Sequence, residues 1–267
     1  MSLLDHVVSV VLAAVLSATA GVVPASAPTG DLVVGRDVSW PNCPKGLGIA
    51  SRPTQGKPMP PASARFVVVG LTNGPAFHPN PCLEEQVAFA RLQHLWTGAY
   101  AVLTYPTRSQ LVEYGGEGTL GQRLHRTGAA QAQQNVAAMA AVGLDSPIVW
   151  VDVEPVSSPA PWSLRPRANR AVLDGAVTAY RDAGLRVGFY STPTMWRDIV
   201  GPVRYGFPEW RTAGLSSRAA ALGRCGGPQF QGGRAVLAQW YSTRADFDLL
   251  CPGRPADALL SEFFSRL

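Results

Sequence analysis

The chain has 267 residues, 46% of them hydrophobic and only 15% charged, which excludes a disordered chain and suits one large globular domain. The net charge of +5 comes with no run of like charges. That excludes a nucleic-acid patch and leaves a mildly basic surface suited to an acidic polymer or anionic envelope. Val7 to Val23 is an apolar, Ala- and Val-rich stretch, and Pro24-Ala25-Ser26-Ala27 follows it as a small-x-small site. This predicts a secretory signal over 1–27, cleaved after Ala27, and a mature domain over 28–267. Asp5 and His6 stand where a signal usually has Lys or Arg, so an upstream start or retention as an anchor stays open. The stretch is short for a membrane span, and no stable span is expected once the signal is removed.

The first predicted strand is Leu32 to Trp40, carrying Asp37 and Ser39 and broken by Pro41-Asn42-Cys43-Pro44. Residues 45–64 are rich in Pro and Gly and read as loop. Arg65 to Leu71 is a second strand with Thr72-Asn73-Gly74 as its turn, and such unbroken apolar runs fit strands buried on both faces. Leu83 to Trp96 has helical spacing, with Glu84 and Glu85 in the first turn, where they suit the helix dipole. Gly98 to Pro106 is a third strand and 107–127 reads as irregular. Ala129 to Val142 is a helix stopped by Gly143. After the strand Ile148 to Pro155 come a loop over 157–166, a helix over Asn169 to Ala183 and a strand over Arg186 to Ser191. A short helix over Pro193 to Val200 is followed by a weaker strand over Glu209 to Gly214 and a late one over Ala235 to Tyr241. Ala245 to Leu250 carries two acids, and Ala256 to Arg266 is a terminal helix. Strand and helix in alternation predict a single α/β domain with right-handed crossovers.

Four cysteines, an even count, fit disulfides in an oxidising compartment. Three connectivities are open. Cys43–Cys82 with Cys225–Cys251 is preferred, because each pair ties loop to loop within its own half of the chain. There is no Cys-x-x-Cys, and His6, His78, His94 and His125 sit apart from the cysteines, so no zinc site is expected.

Ile148-Val149-Trp150-Val151-Asp152-Val153-Glu154-Pro155 organises the rest. Strand side chains have a period of two, so Asp152 and Glu154 project from one face, with Cβ atoms roughly 6–7 Å apart. Two carboxylates that close repel, so at least one proton affinity rises, and the pair can hold one acid and one ionised partner at neutral pH. Pro155 donates no N–H to a ladder and places Glu154 at a strand end. Such a pair can also be an ordinary solvated strand end. Trp150, inside an apolar run, reads as core. In a parallel barrel the C-terminal strand ends gather at one mouth. Asp37, Asp152, Glu154, Tyr190, Gln239, Trp240 and Tyr241 would meet there, and acids with flat aromatic rings suit a carbohydrate.

In order along the chain, Gly35-Arg36-Asp37-Val38-Ser39, Phe66 to Gly74, Asp152-Val153-Glu154, Gly188-Phe189-Tyr190-Ser191, Gln239-Trp240-Tyr241 and Asp246-Phe247-Asp248 resemble the motifs of the family-25 glycoside hydrolases, the Chalaropsis-type lysozymes and their actinobacterial relatives. The resemblance implies a modified TIM-like (β/α) barrel. It implies a monomeric, cofactor-free enzyme of the cell envelope or exterior that cleaves β-1,4 bonds of peptidoglycan. By it Glu154 is the general acid, Asp152 assists, and Asp37 and Asp246 complete the acidic mouth. Tyr190, Trp240, Tyr105, Asn73 and Asp248 would bind sugar. The chain departs from the family pattern at Gly70, at Asn73 and in Leu103-Thr104-Tyr105. The close acid pair argues against an inverting pair at about 6.5–9.5 Å, and leaves attack by Asp152 or by the substrate's N-acetyl group, the latter preferred. A non-catalytic glycan-binding barrel and a hydrolase of another envelope polysaccharide are the alternatives.

Overall fold

The computed structural model describes residues 32–156 and 161–267. The expected signal over 1–27, with its cleavage point, and residues 157–160 of the expected loop lie outside the described residues. Eight strands close on themselves: β1 (Val34–Val38), β2 (Phe66–Gly70), β3 (Trp96–Val102), β4 (Ile148–Asp152), β5 (Arg186–Ser191), β6 (Glu209–Leu215), β7 (Ala235–Tyr241) and β8 (Asp246–Leu250). Each pairs with the next, and β8 returns to β1. The pairings from β1 to β7 are parallel. β8 runs antiparallel to both of its neighbours. Its direction follows from its connection: Ser242 N–H donates to the Ala245 carbonyl at 2.9 Å, and so tight a turn has no room for the crossover a parallel strand needs.

The helices are α1 (Leu83–Leu92), α2 (Arg108–Gly115), α3 (Leu120–Ala141), α4 (Pro166–Asp182), α5 (Pro193–Val200), α6 (Arg218–Cys225) and α7 (Ala256–Phe263). The two-residue period of the strands sorts the core into an outer and an inner part. Val67, Val69, Ala99, Ala101, Val149, Val151, Val187 and Phe189 face the helices. Phe66, Val68, Ile148, Trp150, Tyr190, Trp210 and Leu237 fill the interior, joined from α7 by Leu259, Leu260 and Phe263. Trp150 and Trp210, on non-neighbouring strands, meet edge to face at 6.2 Å. Each of these large apolar side chains contributes about 1.5–3 kcal/mol on burial. Disulfides join Cys43 to Cys82 and Cys225 to Cys251.

Several boundaries differ from the sequence reading. Most of the stretch 107–127 is helical, in α2 and the first part of α3, not irregular. Thr107 caps α2 and Thr119 caps α3, each with a glutamine three residues on completing a capping box. α1 stops at Leu92, because Trp96 is already in β3, beside Phe66 of β2. The loop 45–64 holds a short hairpin, Gly48–Ile49 with Arg52–Pro53. α6, which apolar spacing does not announce, starts at the capping residue Ser217. The terminal helix ends at Phe263, after which Ser265–Arg266 pairs with the start of β3.

α3 and α4 cross where Gly128 meets Gly175. A Cβ on Gly128 would lie 1.9 Å from the Val172 carbonyl oxygen, and one on Gly175 1.9 Å from that of His125. Those are backbone atoms and cannot rotate away. Gly128→Ala should therefore force the helices apart and lower unfolding stability by about 1–3 kcal/mol in urea melts.

Candidate active site

The inward residues of β4 are Ile148, Trp150 and Asp152, and the same parity carries Glu154 to the rim. Beyond the strand the Val153 N–H donates to the Tyr190 carbonyl at 3.0 Å. Ser191 Oγ donates to the Val153 carbonyl at 2.8 Å and Trp162 Nε1 to that of Glu154 at 2.8 Å. These bonds hold the segment as it leaves the sheet. It opens on a cavity of about 380 Å³ lined by Asp37, Asp152, Glu154 and Asp246, with aromatic walls from Trp40, Tyr100, Tyr190, Trp210 and Tyr241. Asp246 is at the beginning of its strand, yet it reaches the same mouth as the strand ends because β8 is antiparallel.

A hydrogen-bond chain sets the floor. Tyr190 Oη donates to Gln239 Oε1 at 2.7 Å, Thr212 Oγ1 donates to the same oxygen at 3.0 Å, and Gln239 Nε2 donates to Asp37 Oδ2 at 2.9 Å. Behind Asp37 lies Asp248, which accepts from Trp210 Nε1 at 2.8 Å. One oxygen of Asp152 and one of Asp248 are buried with no hydrogen-bond partner among the described residues.

Burial raises the proton affinity of every one of these acids, and repulsion from neighbouring carboxylates adds to it at Asp37, Asp152, Glu154 and Asp248. Asp37 is pushed up to about 7 by burial and then by Asp246, against the Gln239 hydrogen bond. Asp152 lies well above the usual carboxylate range through burial, Glu154 and Asp37. Glu154 is raised by burial, opposed by the Arg52 guanidinium and reinforced by Asp246. Burial raises Asp246 against Lys57 and Arg36, and Asp248 lies well up through burial and Asp37. A cleft whose carboxyls hold their protons to higher pH than free carboxylic acids can deliver one to a leaving oxygen.

The same shifts set a sign for stability. The folded protein holds the Asp37 proton up to about 7, whereas an ordinary aspartate releases it near 3.8. Between those values the native state binds more protons than the unfolded one, so stability falls as pH rises through that window. Calorimetry should give a melting temperature that declines from about pH 4 to pH 7, and Asp37→Asn should flatten that decline.

A family model described as Lys-1, lysozyme-like protein 1, matches residues 120–210, from α3 to the start of β6. No curated protein matches the chain in sequence. Among solved structures, a family GH25 lysozyme from Aspergillus fumigatus superposes with a TM-score of 0.57 at 17% identity, covering 88% of this chain and 100% of that one. A muramidase from Acremonium alcalophilum gives 0.57 at 18% identity over 86% and 98%. The lysozyme from Streptomyces coelicolor gives 0.54 at 17% over 86% and 96%. The fold is that of the family GH25 lysozymes.

Within this lysozyme fold the expected site residues separate. Asp37, Asp152, Glu154, Tyr190 and Asp246 line one cavity. Trp240 does not: β7 turns Gln239 and Tyr241 inward, so Trp240 points out and stacks on Phe247 at 5.1 Å, with the Arg36 guanidinium over that ring at 3.8 Å. Tyr105 lies past the end of β3 and packs against the helix-side core. Asn73 is buried under the 48–53 hairpin, and Asp248 is fully buried behind Asp37. Neither lines the cavity. Tyr100, Trp210 and Arg52 do, and were missed. The inward parity of β3 and β6 could have found the first two; for Arg52, in a loop, the sequence carries no such signal.

Proposed function

We propose that the chain is a secreted glycoside hydrolase of the cell envelope that cleaves β-1,4 bonds of peptidoglycan. Glu154 acts as general acid, and Asp152 positions the substrate's acetamido group. The observation that carries this is the placement of Asp152 and Glu154 together at the end of β4, inside one aromatic-walled cavity. The lysozyme fold, the lysozyme-like match over the segment containing both acids and the two disulfides support the reading.

In this mechanism Glu154 gives its proton to the glycosidic oxygen as the bond to the anomeric carbon breaks. The acetamido oxygen of the same sugar closes on that carbon. The amide N–H donates to the open oxygen of Asp152, and the positive charge growing on the acetamido group stabilises Asp152 as a carboxylate. Glu154, now ionised, takes a proton from water as the water opens the intermediate, so configuration is retained. In their ionised forms Asp37 and Asp246 supply negative potential around the oxocarbenium-like carbon.

Reducing-sugar release from purified peptidoglycan by residues 28–267 tests the reading, with arabinogalactan as the comparison polymer. Release from peptidoglycan by the parent protein supports it. Release from arabinogalactan alone would reassign the substrate. Binding to insoluble wall without any release would make the protein a glycan-binding barrel.

A further inference from the structure

The hairpin Gly48–Ile49 with Arg52–Pro53 belongs to the loop tied down by Cys43–Cys82. Asn73 fixes it from below: Oδ1 accepts the Ile49 N–H at 2.8 Å and Nδ2 donates to the Arg52 carbonyl at 3.2 Å. Asn73 is only 1% exposed, so the anchor is shielded from water. Next to it, Gly74 has φ +81°, and a Cβ there would come within 2.2 Å of Arg52 Cδ and 2.5 Å of its Nε. The arginine stem therefore lies directly on the glycine backbone, a seat that no larger residue allows.

This seat delivers the Arg52 side chain to the wall of the cavity that holds Glu154 and Asp152. The guanidinium forms no ion pair and donates no hydrogen bond within the described residues. Arg36, the other arginine near the acids, is already engaged, covering the Phe247 ring and donating to the Asp246 carbonyl at 3.4 Å. A positioned guanidinium with every N–H unspent matches a planar two-oxygen anion.

We propose that Arg52 forms a carboxylate subsite beside Glu154, and that the protein selects glycan whose sugar there carries a free carboxylate. In a peptidoglycan strand that group is the lactyl carboxylate of a muramic acid whose peptide has been removed. The glycan class rests on the function proposed above; the subsite does not. An amide-linked peptide replaces the anion by a neutral carbonyl and gives up the charge-assisted bonds. The reaction that supplies this substrate is then an amide hydrolysis that strips peptide from the strand.

The test measures binding in a Glu154→Gln background, where Glu154 neither turns substrate over nor titrates. The two probes are a muramic-acid-containing tetrasaccharide with free lactyl carboxylates and its methyl ester. The free acid should bind about tenfold tighter than the ester, in line with a desolvated charge-assisted pair. Adding Arg52→Gln should bring the two together, and Arg52→Lys should keep part of the difference. A merely structural arginine would weaken both probes equally. Equal affinities with Arg52 in place, no binding of either probe, or a ratio unchanged by Arg52→Gln overturns the proposal. Hydrolysis of the same two probes by the parent protein is scored separately. Absent hydrolysis with the affinity ratio intact rejects the glycosidase reading and leaves the subsite standing.

Discussion

Glu154→Gln should lower release of reducing ends from peptidoglycan by about 10²–10⁴-fold, the range that loss of a positioned general acid produces. The amide has the same shape but holds no transferable proton. Glu154 is the acid best placed for the role. It is half-buried at the rim, where a leaving oxygen can reach it, whereas Asp152 is 5% exposed and one turn of the strand pattern deeper. Its proton affinity is raised by burial and by Asp246, so it stays charged with a proton at higher pH than an ordinary glutamate. The substitution should leave the fold whole. Removing one of two neighbouring acids relieves repulsion on Asp152, so the melting temperature should hold or rise. Substrate affinity should change little, which separates this result from a broken pocket. If the variant keeps the parent's rate with the same melting temperature, Glu154 is not the acid and the mechanism falls.

How far the sequence reached depends on which physical signal each part carries. The β4 to β5 region was legible because unbroken apolar runs ending in Pro155 or Thr192-Pro193 leave little choice of structure. β5, α5 and β7 lie where the sequence predicts them, at Arg186–Ser191, Pro193–Val200 and Ala235–Tyr241. The start of α3 was not, since Leu120 to Gly128 interleaves Gly, Arg and Gln without a clear stripe. Its signal was the Thr119–Gln122 capping box instead. The acids stand out in the sequence by their chemistry, and the period of two puts Asp152 and Glu154 on one face, where both line the cavity. That same rule, applied to Gln239-Trp240-Tyr241, turns Trp240 outward; choosing the largest aromatic over the strand parity misplaced it. Trp210 was passed over in a strand that reads as weak because charged Glu209 and Arg211 flank it. Arg52 depends on a disulfide-anchored loop and on Asn73 beneath it, contacts between segments far apart in sequence that no local pattern encodes.

Glu209→Ala should cost about 3–5 kcal/mol of stability, the loss seen when one member of a buried ion pair is removed. Glu209 and Arg211 sit on the helix-facing side of β6, and their side chains are 0% and 6% exposed. Arg211 Nε donates to Glu209 Oε2 at 2.7 Å. Glu209 Oε1 accepts the backbone N–H groups of Phe230, Gln231 and Gly233 at 3.1, 3.0 and 3.0 Å. One carboxylate thus closes the loop that leads into β7. The arginine spans the other side, donating to the carbonyls of Arg224 at 3.0 Å and Gly227 at 2.7 Å. Alanine strands three buried N–H donors and a buried cation together. The melting temperature should drop by roughly 6–20 °C, at about 2–4 °C per kcal/mol for a domain of this size. Below that temperature the turnover number should match the parent, because Glu209 begins β6 and the cavity opens at the other end of the strands. A shift under about 2 °C would mean that the loop holds without its carboxylate. A collapse of turnover in folded protein would mean that the 227–233 loop positions the cavity walls. The two glutamates then form a matched pair of opposites. Glu154, poorly satisfied and half-buried at a strand end, should govern rate and not stability. Glu209, saturated with donors and buried at a strand start, should govern stability and not rate.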